Sequence, residues 1–333
     1  MRMTREQDLV HAQGFLRAEL PGLSDRLRLT TTAAATFERL FMAALARSAQ
    51  DMDACQRMGL ARSTPEGRAF LDFIGPRLVT PETTLINPGV VAQALAFMKK
   101  GGNVLLIQNH TSGADTVVWD YLVNQRFDGA ARDFAYMAGH VVTFFLIPLT
   151  VSSGVNRFQI FSTKYKALAE AVGHTMDEMQ AQNRRAIHDL VTWTKHGGRL
   201  LGLYPEGGRG EAGLLEGDRN TTTVGLAMAS SSPAGLMVLP TYVAGCTNIL
   251  PVVRGPREFE EFLRYVRRGT ATITCGDPLR WEELLPSREQ IADEQATHDE
   301  VDDKHARKRL IHARTMRLIA ALAPVGAARG PWQ

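Results

Sequence analysis

The chain has 333 residues, of which 44% are hydrophobic and 22% are charged, and this balance is typical of a globular protein with a substantial core. The formal net charge is only +3 and no nucleic-acid-binding motif occurs, so we expect no nucleic-acid partner. The three cysteines lie far apart in the sequence, which argues against a disulfide framework and against a zinc site. We therefore expect a cytoplasmic protein that needs no metal and no cofactor.

Residues 1–80 carry apolar side chains at helical spacing, and Pro21 and Gly22 are expected to break the first helix. Prolines then mark a transition near residue 80, after which short apolar runs alternate with helical segments. The sequence thus predicts a small N-terminal helical bundle over residues 1–80 and an α/β domain over residues 81–333.

The α/β domain is expected to hold a mixed sheet flanked by helices. Apolar runs predict strands near 103–108, 133–138, 199–204, 236–243 and 269–275, and helical periodicity predicts helices near 90–100, 116–126, 175–196, 220–231 and 303–322. The longest strongly apolar run, residues 141–149, is too short to span a bilayer, so a soluble protein is expected. This run is either a buried helix or an apolar surface that meets an acyl chain or a membrane periphery.

A histidine and an aspartate follow the first predicted strand of this domain, in the segment NHTSGAD at residues 109–115. The carboxyl end of a strand is where α/β proteins usually place their chemistry. A turn rich in Thr, Ser and Gly allows His110 and Asp115 to meet, so that the carboxylate fixes the tautomer and raises the basicity of the imidazole. Such a pair removes a proton from a hydroxyl group, although residues at this spacing also serve as loop or helix caps. Asn109 either orients the loop, contributes to an oxyanion site or is a simple turn residue.

The segment YPEGGRG at residues 204–210 follows another apolar run and offers a carboxylate, two glycines and a guanidinium in succession. Arg209 suits an anionic ligand, because a planar guanidinium can grip two phosphate oxygens. Glu206 either holds Arg209 by a charge-assisted contact or caps the following turn. Gly207 and Gly208 either let a ligand approach the backbone or form a plain tight turn.

Two further segments complete a pattern of four. GVNRFQIFSTK at residues 154–164 contains Arg157 and Lys164, and VLPTYV, which begins at Val238, closes another apolar run. In this order the four segments resemble the motifs of the glycerolipid acyltransferase superfamily, over about residues 100–245. The chain is most similar to the soluble, plastid-type glycerol-3-phosphate acyltransferases, which carry a helical domain before the catalytic one.

The resemblance implies transfer of a fatty acyl group from acyl carrier protein or coenzyme A to the 1-hydroxyl of glycerol 3-phosphate. His110 is then the general base, and Asp115 orients it. No GxSxG elbow is present, so the acceptor is expected to attack the thioester directly without an acyl-enzyme. Arg209 and Lys164 are the expected phosphate-binding residues; Lys164 matches the family's phosphate-binding lysine, and a surface charge on a helix is its alternative role.

Two residues depart from the soluble branch and leave the acceptor open. Glu211 stands where that branch carries a basic residue, and Tyr165 replaces the histidine after the phosphate-binding lysine, while Arg157 and Arg219 are placed to compensate. Glu206 is more like the membrane-associated lysophosphatidate acyltransferases. The alternative acceptors are therefore 1-acylglycerol 3-phosphate or another hydroxyl compound. A non-catalytic lipid-binding module and a hydrolase are the alternatives of other classes.

Basic residues cluster in two regions near the end of the sequence. Each cluster is either a solvated helix face or a dock for an acidic acyl carrier protein, whose approach would be steered electrostatically. The clusters comprise Arg254, Arg257, Arg264, Arg267 and Arg268, and then Lys304, Arg307, Lys308, Arg309, Arg314 and Arg317.

Overall fold

A computed structural model describes most of the chain, in two compact units that each combine three separate stretches. The described residues are 5–55, 58–139, 142, 145–161, 166–171, 173–206, 220–252, 260–297 and 302–324. The first unit comprises Met1–Thr84, Ser112–Asp189 and Ala244–Thr272, and the second comprises Leu85–Thr111, Leu190–Val243 and Ile273–Gln333.

The elements alternate between helices and short strands over most of the chain. The α-helices are α1 Arg5–Leu27, α2 Thr31–Cys55, α3 Pro65–Leu78, α4 Pro88–Lys99, α5 Asp115–Arg126, α6 Leu146–Ser152, α7 Lys166–Ala171, α8 Met176–Thr194, α9 Asn220–Ser231, α10 Cys246–Ile249, α11 Glu261–Tyr265, α12 Trp281–Leu284, α13 Arg288–Thr297 and α14 Asp303–Ala321. The strands are β1 Gly59–Ala61, β2 Thr84–Ile86, β3 Asn103–Gln108, β4 Ala135–Gly139, β5 Asn156–Ile160, β6 Leu200–Leu203, β7 Leu236–Ala244, β8 Thr272–Cys275 and β9 Leu279–Arg280.

Strand β3 is central to the second unit. It pairs in parallel with β6, where Ile107 lies opposite Leu203, and with β7, where Gln108 lies opposite Thr241. Every residue of β3 is buried, as expected for a parallel strand covered on both faces. Strand β9 adds to β7 in the antiparallel direction. The carboxyl ends of β3 and β6 therefore lie side by side, and each strand leads into one of the sequence motifs.

The first unit contains its own set of paired strands. Strand β4 pairs in parallel with β5, and β1 pairs with β5 in the antiparallel direction. Parallel and antiparallel pairs thus occur in both units. The predicted α/β fold with a mixed sheet flanked by helices is confirmed.

The N-terminal helices pack through a cluster of phenylalanines within the first unit. Phe37 and Phe41 on α2 each meet the edge of Phe70 on α3, with ring centroids 5.4 and 5.3 Å apart, and all three are fully buried. Edge-to-face contacts at this distance are favourable beyond the apolar area that they bury. A helical N-terminal region is therefore confirmed, whereas the domain division near residue 80 stays a prediction.

The predicted break at Pro21 and Gly22 is wrong, because α1 continues through Pro21 to Leu27. A proline inside a helix removes one backbone hydrogen bond and disfavours the helix. Leu16 and Leu23, on either side of the proline, are both fully buried. Burial of apolar side chains on both sides of Pro21 offsets the local cost, and the helix is preserved.

The apolar run at residues 141–149 enters α6, in which Leu146, Ile147 and Leu149 are buried. This part of the run is a buried helix; residues 140–141 and 143–144 lie outside the described residues. Within the described ranges, no helix combines the length and the apolar character that a membrane crossing requires.

Candidate active site

The loop that follows β3 is fastened to β7 by Asn109. The side-chain Nδ2 of Asn109 donates to the carbonyl oxygen of Val243 at 2.9 Å, and the backbone N–H of Val243 donates to Oδ1 of Asn109 at 2.6 Å. Asn109 is fully buried, so both bonds form away from water. The side-chain amide of Asn109 thus makes the two hydrogen bonds to Val243 that a neighbouring backbone would make. These bonds orient the loop that carries the next residue, His110.

His110 is held at two points by the segment that follows β6. Its half-buried ring stacks on Tyr204, with centroids 4.1 Å apart and planes at 23°. Its backbone N–H donates to Oε2 of Glu206 at 2.6 Å. The parallel pairing of β3 and β6 explains this meeting, because it brings the two strand ends side by side. Two motifs that are 96 residues apart in the chain are therefore joined at the histidine.

Glu206 has a contact that sequence reasoning missed. Its side chain is buried, and a buried carboxylate is stable only when donors replace the lost water. The N–H of His110 is one such donor, and the bond is charge-assisted. The sequence did indicate that both motifs follow the ends of strands. It could not predict that the Glu206 carboxylate accepts a hydrogen bond from the backbone of His110, because no local sequence pattern identifies a backbone donor. The predicted partner Arg209 and the glycines Gly207 and Gly208 lie outside the described residues.

Asp115 belongs to the first unit and opens α5. It is fully buried, and its Oδ2 accepts a hydrogen bond from the backbone N–H of Ser112 at 2.9 Å. A carboxylate in the first turn of a helix also interacts favourably with the helix dipole. Burial, together with the Asp115 carboxylate, raises the pKa of the Cys246 thiol well above its ordinary value. Asp115 is therefore built into a buried polar cluster of the first unit.

The remaining predicted residues are distributed as follows. Arg157 lies on β5 in the first unit, is 2% exposed, and donates to the carbonyl oxygen of Ser152 at 2.5 Å. Lys164 and Tyr165 lie outside the described residues, as do Glu211 and Arg219. The structure thus brings together Asn109, His110, Tyr204 and Glu206 in the second unit.

Three arginines of the first basic cluster already serve structural contacts in the first unit. Arg264 pairs with Glu19 at 3.1 Å, Arg267 donates to the carbonyl oxygen of Asn248, and Arg268 donates to that of Val79. Arg254 and Arg257 lie outside the described residues. The proposed dock for an acyl carrier protein stays a prediction.

Comparison with known proteins finds similarity in the middle of the chain. Residues 90–244 match the family model described as Acyltransferase. Curated relatives include the chloroplastic glycerol-3-phosphate acyltransferases of Spinacia oleracea (24% identical over 147 residues, 44% of this chain and 30% of the relative), Phaseolus vulgaris (27% over 112 residues, 34% and 24%) and Pisum sativum (27% over 139 residues, 41% and 30%).

The matched stretches thus span less than a third of the length of these curated relatives. The family match contains all four motifs on which the resemblance was based. Residues 90–244 are accordingly similar to acyltransferase domains, and the chain is similar to chloroplastic glycerol-3-phosphate acyltransferases.

Proposed function

We propose that this protein transfers a fatty acyl group from an acyl thioester to the 1-hydroxyl of glycerol 3-phosphate. The main observation behind the proposal is that two contacts fix His110: a hydrogen bond from its backbone N–H to Glu206, and the stacking of its ring on Tyr204. A general base must be fixed within a fraction of an ångström of its reactive position. The named activity of the chloroplastic relatives supports the choice of acceptor.

In the proposed reaction, His110 is the general base. Its imidazole accepts the hydroxyl proton as the acceptor oxygen attacks the thioester carbonyl, and then gives the proton to the sulfur of the departing thiolate, which leaves as the thiol. Imidazole is the side chain best suited to exchange a proton near neutral pH. Asp115 orients the ring and stabilises the imidazolium form. The acceptor attacks directly, so no acyl-enzyme forms.

The phosphate of the acceptor requires cationic partners, and Arg209 and Lys164 are proposed for this role. A guanidinium binds phosphate in a bidentate manner, whereas an ammonium acts as a point charge. Gly207 and Gly208 would let the backbone approach the same group.

A second acceptor is favoured by one observation in the sequence, the carboxylate of Glu211 two residues beyond Arg209. A carboxylate there repels the charge of a phosphate group, which favours an unphosphorylated alcohol. 1-Acylglycerol 3-phosphate carries the same phosphate as glycerol 3-phosphate and is the other alternative acceptor. The acyl donor, either acyl carrier protein or coenzyme A, belongs to the same proposal. So do a cytoplasmic location and a peripheral membrane contact.

Product identification by mass spectrometry tests this proposal. The purified protein is incubated with palmitoyl thioesters of coenzyme A or acyl carrier protein and, separately, with glycerol 3-phosphate, 1-acylglycerol 3-phosphate, glycerol or no acceptor. We expect lysophosphatidate with glycerol 3-phosphate only, and its loss in Arg209→Ala. Acylation of another acceptor would overturn the choice of glycerol 3-phosphate, and release of free fatty acid without acceptor would indicate a hydrolase.

A further inference from the structure

Gln108 ends strand β3, two residues before the proposed base His110. Its side chain is buried, with only 2% of the residue exposed. Neither the carboxamide oxygen Oε1 nor the nitrogen Nε2 has a hydrogen-bond partner among the residues that the structure describes. Buried polar groups nearly always have partners, and an exception calls for a functional explanation. Gln108 thus carries an unused donor and an unused acceptor beside the loop of the base.

The pairing of the strands fixes the face of the sheet on which this carboxamide lies. Ile107 lies opposite Leu203 in the last pair of β3 and β6. The next residues along the two strands, Gln108 and Tyr204, therefore come level, and side chains of level residues in parallel strands share one face. On its other side Gln108 lies opposite the fully buried Thr241 of β7. All of these residues belong to the second unit.

The same face carries the proposed base. The ring of His110 stacks on that of Tyr204, with centroids 4.1 Å apart, so the imidazole lies on the side of the sheet that Gln108 shares. His110 is half-buried and borders solvent, whereas Gln108 lies deeper. A glutamine side chain has several rotatable bonds, so its carboxamide can turn toward a ligand that reaches the imidazole. An acceptor that meets His110 therefore comes within reach of Gln108.

A carboxamide both donates and accepts hydrogen bonds, and a hydroxyl group complements it in both respects. In glycerol 3-phosphate the 2-hydroxyl is on the carbon next to the one whose hydroxyl His110 would deprotonate. We propose that Gln108 binds this neighbouring hydroxyl, and so selects acceptors that have a free hydroxyl beside the one that is acylated. This inference rests on the proposed function, and it disfavours 1-acylglycerol 3-phosphate, which has no second free hydroxyl.

A pair of acceptors tests this role directly, because 3-hydroxypropyl phosphate lacks only the 2-hydroxyl of glycerol 3-phosphate. An acceptor without that hydroxyl leaves the buried carboxamide unpaired, so we expect the wild type to prefer glycerol 3-phosphate by about 10–100-fold in kcat/KM. Gln108→Met keeps the length of the side chain and removes the carboxamide. We expect Q108M to lose about tenfold or more of this preference, while its kcat/KM for the analogue stays within about threefold of the wild type.

Gln159 provides a matched control, since it is another buried glutamine whose carboxamide has no hydrogen-bond partner within the described part of the chain, and it lies on β5 in the first unit. Gln159→Met should keep the wild-type preference, and Gln108→Leu repeats the test if Q108M does not fold. The inference is overturned if an active wild type uses both acceptors equally, if Q108M lowers both rates by the same factor, or if Q159M loses the preference equally. A wild type that does not acylate glycerol 3-phosphate would instead overturn the proposed function, and this inference with it.

Discussion

The backbone N–H of His110 donates a 2.6 Å hydrogen bond to the carboxylate of Glu206, at the carboxyl end of two paired parallel strands. The same histidine stacks its ring on Tyr204, two residues before that glutamate. The histidine backbone and ring are thus positioned separately by one segment. We therefore expect substitutions of Glu206 and Tyr204 to lower kcat by displacing His110, rather than to weaken substrate binding.

Removal of the Glu206 carboxylate should release the His110 backbone. In Glu206→Ala the N–H loses this acceptor, which should cost about 1–3 kcal/mol in the free energy of unfolding. The displaced base should lower kcat by about 10–100-fold, since a 1 Å shift in a reacting group has an effect of this size. Urea unfolding and steady-state kinetics measure the two effects. Glu206→Gln keeps an acceptor oxygen and should be milder; an E206A variant with wild-type kcat would contradict the positioning role.

The Tyr204 ring should contribute through its face rather than its hydroxyl. Stacked aromatic pairs are worth about 0.5–1.5 kcal/mol, so Tyr204→Ala should lower kcat by up to about tenfold. Tyr204→Phe preserves the ring and should stay within about twofold of the wild type. Steady-state kinetics on both variants distinguishes these outcomes. Equal losses in both variants would assign the contribution to the hydroxyl.

A buried ion pair joins α3 to α5, the helix that Asp115 opens. Arg68 donates to Asp120 through both terminal nitrogens, one at 3.0 Å, and also to Asp72 at 3.0 Å. The side chain of Asp120 is only 3% exposed, so Arg68→Ala leaves a carboxylate buried without its cation. We expect a loss of about 3–5 kcal/mol in the free energy of unfolding, measured by urea titration.

The exposed partner of the same network is the control for that prediction. Arg132 contacts Asp72 at 3.4 Å with 60% of its side chain exposed. Arg132→Ala should change the free energy of unfolding by less than about 1 kcal/mol, because water screens such pairs. Similar losses in R68A and R132A would show that burial does not govern this network.

Alkaline pH should weaken the fold through Cys275. Burial raises the pKa of this thiol from the ordinary 9.0 to about 12, although a contact with Thr241 opposes the shift. The unfolded chain therefore loses its thiol proton first. The stabilising contribution is complete below pH 9.0 and is lost as the pH rises toward 12.

Urea unfolding of the wild type and Cys275→Ala at about pH 8 and about pH 10.5 tests this sign. The stability advantage of the wild type should shrink by about 1–2 kcal/mol between the two conditions. An advantage that stays constant or grows with pH would contradict the raised thiol pKa.

The sequence predicted well those elements that have a long, uninterrupted pattern. Strand β3 and helix α9 have the predicted bounds. In β3 the continuous apolar run from Val104 to Ile107 defines the strand clearly. Strands β1 and β9 were not predicted, since strands of three and two residues have no measurable periodicity. The break at Pro21 was predicted wrongly, because the local sequence does not show that side chains on both sides of the proline are buried by tertiary packing.

For the candidate site, the sequence identified the residue types but not their partners. His110 and Glu206 were singled out as members of two motifs, yet their contact depends on which strands are neighbours. Tertiary pairing, rather than local propensity, supplies this relationship.

The most direct test of the account is acceptor-dependent thiol release from palmitoyl thioesters by the wild type, His110→Ala and His110→Gln. General base catalysis typically contributes about 10²–10⁴-fold, so both variants should lose turnover by that factor while their thermal unfolding stays close to that of the wild type. Release of thiol at the wild-type rate by either folded variant would contradict the assignment of His110 as the catalytic base.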